Sequence, residues 1–252
     1  MKYAIVTGVS RGLGLSIATH LLTNKIHVIG LSRQKNATLE AIAEENQVDY
    51  THYSCDLADI QAIDKTCEEI STYLFTQDVQ LLYLIQNAGV LQPIKPAMDT
   101  TSAEIASHMQ INTIAPMIMM NYFLQKGIAF GVPIHGATIT SGAAERPVYG
   151  WSAYCSSKAS INMYTETVGL EQEELRTGNK IIAFSPGVMD TAMQGEIRAS
   201  HYDDFIEIDQ FKSYQKNDQL LAPNVVANVF VDLLLNEATL ENGMIYHAKD
   251  FL

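Results

Sequence analysis

Tyr154 and Lys158 stand four residues apart in Tyr154-Cys155-Ser156-Ser157-Lys158, within a helical period that predicts a helix over Ser152 to Arg176. On a helix that spacing puts both side chains on one face. An ammonium beside a phenol favours the phenolate, so the Tyr154 pKa is expected to fall from about 10 toward the working pH. Such a tyrosine serves as a general acid in one direction and a general base in the other. The pair alone also fits an ordinary amphipathic helix. Upstream, Ser141 ends the strand Ala137-Thr138-Ile139-Thr140, where it is placed to donate to a substrate oxygen as charge develops; otherwise it is a turn residue. Asn112 falls inside a second helical stretch, Thr101 to Gln125, with a break possible near Pro116. An amide there costs helix propensity, and holding a water that returns protons to Lys158 would be its use.

These side chains need a scaffold. Short β-branched runs at Tyr3 to Thr7, His27 to Leu31, Asp49 to Cys55, Leu81 to Gln86, His135 to Thr140, Ile181 to Ser185 and Met244 to His247 alternate with helical stretches. That order predicts parallel strands joined by crossover helices, an α/β fold with one doubly wound sheet of Rossmann type in a single domain over residues 1–252. Ligands are expected beyond the carboxyl ends of such strands. The stretch from Thr191 to Leu221 lacks a clean period and reads as a helical insertion lying over the site.

The first strand runs straight into Thr7-Gly8-Val9-Ser10-Arg11-Gly12-Leu13-Gly14, followed by a helix through Ile17, Ala18, Leu21 and Leu22. Glycines there bring bare backbone N–H groups and a helix N-terminus against a pyrophosphate, which predicts a dinucleotide. The second strand ends Gly30-Leu31-Ser32-Arg33, where an NAD site would place an acid for the ribose 2′-hydroxyl. Arg33, with Arg11 and Ser10, would instead meet a 2′-phosphate, which favours NADP(H). Asp56, with Leu57 beside it, is placed for the adenine edge, or else for capping a helix near Asp59. Asn87-Ala88-Gly89 offers small residues where backbone must pass close to the ribose, or a simple turn. The positive nicotinamide of the oxidised cofactor would add to the pull on the Tyr154 proton.

Taken in order, Thr7-Gly8-x-x-x-Gly12-x-Gly14, Asp56, Asn87-Ala88-Gly89, Asn112, Ser141, Tyr154-x-x-x-Lys158 and Pro186-Gly187-x-x-x-Thr191 resemble the short-chain dehydrogenase/reductase family over essentially the whole chain. The resemblance implies a catalytic set of Asn112, Ser141, Tyr154 and Lys158. It implies too that the Val188 backbone binds the nicotinamide carboxamide and that Thr191 holds the same end of the cofactor. The stretches Pro147 to Cys155 and Asp190 to Gln194 look like the sepiapterin reductase branch, whose bacterial members include benzil reductases forming (S)-benzoin. Both reduce one carbonyl of a vicinal dicarbonyl system. Tyr149, Trp151, Met189 and Met193 would supply a flat apolar wall, or simply pack around the loop. Sepiapterin reductases carry an Asp near the C-terminus that anchors the pterin; aligned on Gly243, this chain has His247. That ranks a 1,2-diketone above sepiapterin or another ketone.

Composition narrows the field further. The formal charge is -12, with 16 Lys plus Arg against 28 Asp plus Glu, which disfavours nucleic acid and anionic membranes as partners. Cys55, Cys67 and Cys155 form no Cys-x-x-Cys pair, and the seven histidines show no paired ligand spacing, so neither disulfide nor metal is expected. A reducing cytoplasm fits best, and neither a signal peptide nor a membrane span is expected. Catalysis at Cys155 lacks an adjacent base. A non-catalytic NADP(H)-sensing protein is the remaining alternative, but one free to lose Tyr154 or Lys158 would not be expected to keep both. The resemblance implies a homodimer or homotetramer through the helices bearing Asn112 and Tyr154.

Overall fold

Runs of consecutive apolar residues make strands that are buried on both faces, as a parallel sheet requires. In the computed structural model, which describes residues 1–252, these are β1 (Lys2–Thr7), β2 (His27–Leu31), β3 (Tyr50–Tyr53), β4 (Leu81–Gln86), β5 (Ile134–Ile139), β6 (Lys180–Ser185) and β7 (Ile245–His247). They form one sheet in the order β3-β2-β1-β4-β5-β6-β7, and every neighbouring pair is parallel. This is the doubly wound Rossmann-type sheet. The edge strand β3, half-buried and polar in part, is shorter than the expected Asp49 to Cys55: its ladder to β2 ends at Leu31 against Tyr53, with no further strand beyond it.

The helices are α1 (Gly12–Thr23), α2 (Thr38–Asn46), α3 (Ile60–Leu74), α4 (Ser102–Met109), α5 (Ala115–Phe130), α6 (Ser152–Glu174), α7 (Ala192–Arg198), α8 (Ile208–Lys216) and α9 (Pro223–Leu235). Helix α1 buries Leu13, Ile17, Leu21 and Leu22, one stripe at helical spacing. With α2 and α9 it covers one face of the sheet. Helices α3 and α5 cover the other. Each fully buried Ile or Leu side chain in these layers contributes roughly 1.5–3 kcal/mol. No helix is long and apolar enough to cross a membrane.

The predicted helix Thr101 to Gln125 is present but changes character midway. A capping box between Thr101 and Glu104 starts α4, and residues Gln110–Ile114 then form a wider π-helical turn before α5. Pro116 is the cause: it has no N–H to return to the carbonyl four residues back, that of Asn112. The break therefore falls upstream of the proline, and it falls on Asn112.

The crossovers diverge between β1 and β4, since β1 leads to β2 on one side while β4 lies on the other. A crevice opens beyond the carboxyl ends of these strands. The residues singled out in sequence converge there.

Candidate active site

The crevice is a cleft of about 1820 Å³, well above the roughly 300–1,000 Å³ of an ordinary small-ligand pocket. It has room for a dinucleotide and a substrate together. Gly8 (φ +78°) and Gly12 (φ +59°) adopt the left-handed backbone that glycine permits. A Cβ at Gly8 would lie 2.8 Å from the Asn87 amide nitrogen, and one at Gly14 would collide with the Gly8 carbonyl and the same amide. Asn87 in turn donates to the Thr7 carbonyl at 3.0 Å, and the Thr7 hydroxyl accepts from the Asn87 and Ala88 N–H groups, each at 3.0 Å. These bonds fix the ends of β1 and β4 together. The result is a shallow cradle of bare backbone ahead of α1, which fits a pyrophosphate.

Gly8, Ser10, Arg11, Gly12, Leu13, Arg33, Asp56, Leu57, Asn87, Ala88, Gly89, Pro186, Gly187, Val188 and Thr191 all line the cleft; Gly14 is buried behind it. Both arginines are exposed, and the Asn36 side chain donates to the Ser10 carbonyl at 3.0 Å, tying their two loops together. The Asp56 carboxylate accepts from Ala58 N–H at 3.0 Å in a local turn, while Asp59 caps α3. Asp56 is thus not a helix cap.

At the other end of the cleft, Ser141, Tyr154 and Lys158 line the wall beyond β5. Lys158 donates to the Ile139 carbonyl at 2.8 Å, and its nitrogen sits 5.8 Å from the Tyr154 ring centre. Burial pushes the Tyr154 phenol above its ordinary value, with the Ser141 hydrogen bond pulling the other way. In the protein alone, desolvation outweighs the hydrogen bond, and the lowering expected from Lys158 is not seen. The same desolvation lowers Lys158 to about 8. Asn112 is buried rather than solvated, and its side chain turns to Val90, donating to the carbonyl at 2.7 Å and accepting from the N–H at 2.8 Å.

Trp151, Met189 and Met193 line the cleft; Tyr149 does not, and is 45% exposed. Trp151 stacks on Phe205 at 4.9 Å and meets Tyr154 edge-on at 5.4 Å. The segment 191–221, with α7 and α8, thus packs on the wall that carries Tyr154, adding Gln194, Ile197 and Phe211 to the lining. His247 lines it too, 3.5 Å from Glu145.

Residues 2–201 match the family model described as short chain dehydrogenase. The chain belongs to the short-chain dehydrogenase family. This dehydrogenase is 38% identical over 237 residues to the "Benzil reductase ((S)-benzoin forming)" of Bacillus cereus, covering 94% of the chain and 95% of that protein. To the protein of the same name from Bacillus subtilis it is 36% identical over the full length of both. A crystal structure of a short chain dehydrogenase/reductase from Saccharomyces cerevisiae superposes with a TM-score of 0.81 at 26% identity, covering 99% and 97% of the two chains.

Like its family, the dehydrogenase is an oxidoreductase that uses a nicotinamide cofactor, and Lys158 is costly for it to keep. Its folded pKa of about 8 lies below the unfolded value of about 10.4. The unfolded chain therefore binds more protons between those limits, and stability rises as pH climbs from about 8 to about 10.4. Below that window the burial costs about 3 kcal/mol. Lys158→Met removes this cost and a hydrogen bond of about 1 kcal/mol, so a net gain of about 2 kcal/mol is expected at pH 7. Denaturant titration at pH 7 and pH 10.5 checks it: the gain should shrink to nothing or reverse at the higher pH.

Proposed function

We propose that this dehydrogenase is an NADPH-dependent carbonyl reductase that reduces one carbonyl of a vicinal diketone, with Tyr154 as the acid. The observation that carries this reading is the buried Tyr154 phenol, flanked by Ser141 and Lys158 and walled by Trp151, Met189 and Met193. NADPH, when bound, supplies the hydride. The Gly8 to Gly14 loop and the start of α1 would hold its pyrophosphate, Arg11, Ser10 and Arg33 its 2′-phosphate, and Asp56 with Leu57 its adenine. Asn87 to Gly89 would back the ribose, and Pro186 to Thr191 the nicotinamide.

The protein's own part is protonic and positional. Tyr154 gives its proton to the carbonyl oxygen, and Ser141 donates a hydrogen bond to the same atom as negative charge gathers there. The Lys158 ammonium stabilises the phenolate left behind. The Tyr154 phenol is held by the Ser141 hydrogen bond, which favours the phenolate against the effect of burial. Asn112 keeps Val90 and the cleft wall in place through its paired backbone bonds.

Two features favour a diketone over a pterin. The wall is aromatic and methionine-rich, and His247 stands in the cleft lining where the sepiapterin reductase branch carries its pterin-anchoring Asp. The Bacillus relatives are named for the same substrate class. Exposed Ile128, Met163 and Leu170 on α5 and α6 would support a homodimer or homotetramer. The test is a paired assay of NADPH and NADH oxidation with benzil, an aliphatic 1,2-diketone and sepiapterin. Diketone turnover with at least a ~10-fold NADPH preference is expected, of the order of one charge-assisted hydrogen bond. Preference for sepiapterin, or for NADH, would sink the reading.

A further inference from the structure

His108 has no task in the reaction just described, yet its imidazole is buried to 1% exposure within the catalytic group. Its Nδ1 lies 2.7 Å from the Gln92 carbonyl oxygen, which only accepts, so Nδ1 carries the hydrogen. In the neutral ring Nε2 is then a bare lone pair. It faces the Asn112 side-chain nitrogen at 2.9 Å and the Ser157 hydroxyl at 3.1 Å. Asn112 is oriented independently, because its oxygen accepts from Val90 N–H and one amide hydrogen goes to the Val90 carbonyl. The second amide hydrogen is left for His108. Ser157 donates to the Tyr154 carbonyl at 2.9 Å. With His108 neutral, the second Asn112 amide hydrogen has the imidazole as its near acceptor, the Ser157 oxygen lying farther off at 3.5 Å.

The imidazole thereby joins three pieces of the site. Gln92 belongs to the Val90 to Gln92 wall of the cleft, Asn112 to the widened turn ahead of α5, and Ser157 to the turn of α6 between Tyr154 and Lys158. The His108 ring also meets the Tyr154 ring edge-on, at 6.1 Å and 81°. We propose that neutral His108 is a positioning residue, holding Asn112 and the 90–92 wall in register with Tyr154, and that its protonation releases them and adds an acid limb to the pH profile.

Protonation would turn the Nε2 lone pair into an N–H whose acceptor is the Ser157 oxygen at 3.1 Å, and the second Asn112 amide hydrogen would lose the imidazole as its acceptor. The charged group facing the ring from α6 is Lys158, with the Tyr154 phenol beside it; residues 87–94 and 110–114 carry no titratable side chain. On α4 itself Glu104 is paired with Lys95 at 2.8 Å. Burial, with Lys158 adding to it, holds the imidazole below its ordinary value of 6.5. The limb therefore lies on the acid side: activity is full above the His108 pKa and falls as pH drops through it.

The proposal rests on the reductase reading, and three measurements separate the two. His108→Leu orphans the Asn112 amide hydrogen and the Gln92 carbonyl, and a kcat loss of about 10-fold is expected with the NADPH KM within about 2-fold. His108→Gln can accept from Asn112 but cannot titrate, so it should recover most of kcat and lose the acid limb. Nitrogen-15 NMR of the native chain at neutral pH should show His108 as the Nδ1–H tautomer. A folded His108→Leu with native kcat, a His108→Gln with the native acid limb, or an Nε2–H tautomer would each overturn the proposal. If His108→Leu does not fold, the His108→Gln profile decides. If the native chain reduces no diketone, the reductase reading fails and the tautomer alone decides for His108.

Discussion

Tyr154→Phe is expected to leave a folded chain that binds NADPH normally and reduces a 1,2-diketone about 10²- to 10⁴-fold more slowly. The substitution removes one oxygen and keeps the ring, so the edge contacts to Trp151 at 5.4 Å and His108 at 6.1 Å survive. The lost phenol is buried, and its stabilising partner is Ser141; dropping it costs the fold little, since a buried hydroxyl must otherwise be kept satisfied. What disappears is a proton needed only as the carbonyl oxygen gains charge. The loss should therefore fall on kcat rather than on KM. Steady-state kinetics with NADPH binding followed by cofactor fluorescence checks both halves. Full turnover by the variant would mean that the proton comes from another group.

That this tyrosine could be picked from sequence reflects how parallel α/β sheets are written. Their strands are buried on both faces, so β1, β4 and β6 read as nearly unbroken apolar runs, and the ligand end follows from where each run stops. Ser141 and the glycine loop sit just beyond strand ends, and Tyr154 follows in the first turn of α6. The break by Pro116 was legible as well, but its place was not. A missing N–H is felt at the carbonyl four residues earlier, which moved the distortion onto Asn112.

The remainder was hidden because it depends on contacts between distant segments. Tyr149 and Trp151 look equivalent as aromatic wall residues, yet Gly150 (φ +80°) turns the chain between them and only Trp151 is trapped against Phe205 and Phe211. Tyr149 is left outward. Gln194, Ile197 and Phe211 lie in the segment without a clean period, so nothing in their spacing announced that they face the cleft. His108 shows the same limit: four residues before Asn112 it is one more helical polar residue, and its role depends on Gln92 and Ser157 meeting it.

Arg33→Asp should invert the cofactor preference, lowering kcat/KM with NADPH about 10²- to 10³-fold while changing it only a few-fold with NADH. A charge-assisted hydrogen bond contributes about 1.5–3 kcal/mol, or roughly 10- to 150-fold, and the new carboxylate would repel the 2′-phosphate in addition. With NADH the same carboxylate can accept from the ribose 2′-hydroxyl, so little is lost. The swap is structurally mild, since Arg33 is exposed and the Asn36 to Ser10 bond that ties the two loops does not involve it. Arg11, proposed to meet the same phosphate from the glycine loop, should leave a residual NADPH activity that falls about a further 10-fold in the Arg11→Ala, Arg33→Asp double variant. Because both arginines are solvent-exposed, raising ionic strength should narrow the native preference and barely touch that of the double variant. An NADPH to NADH ratio unchanged by Arg33→Asp would move the 2′-phosphate, and with it the basis of cofactor choice, away from the end of β2.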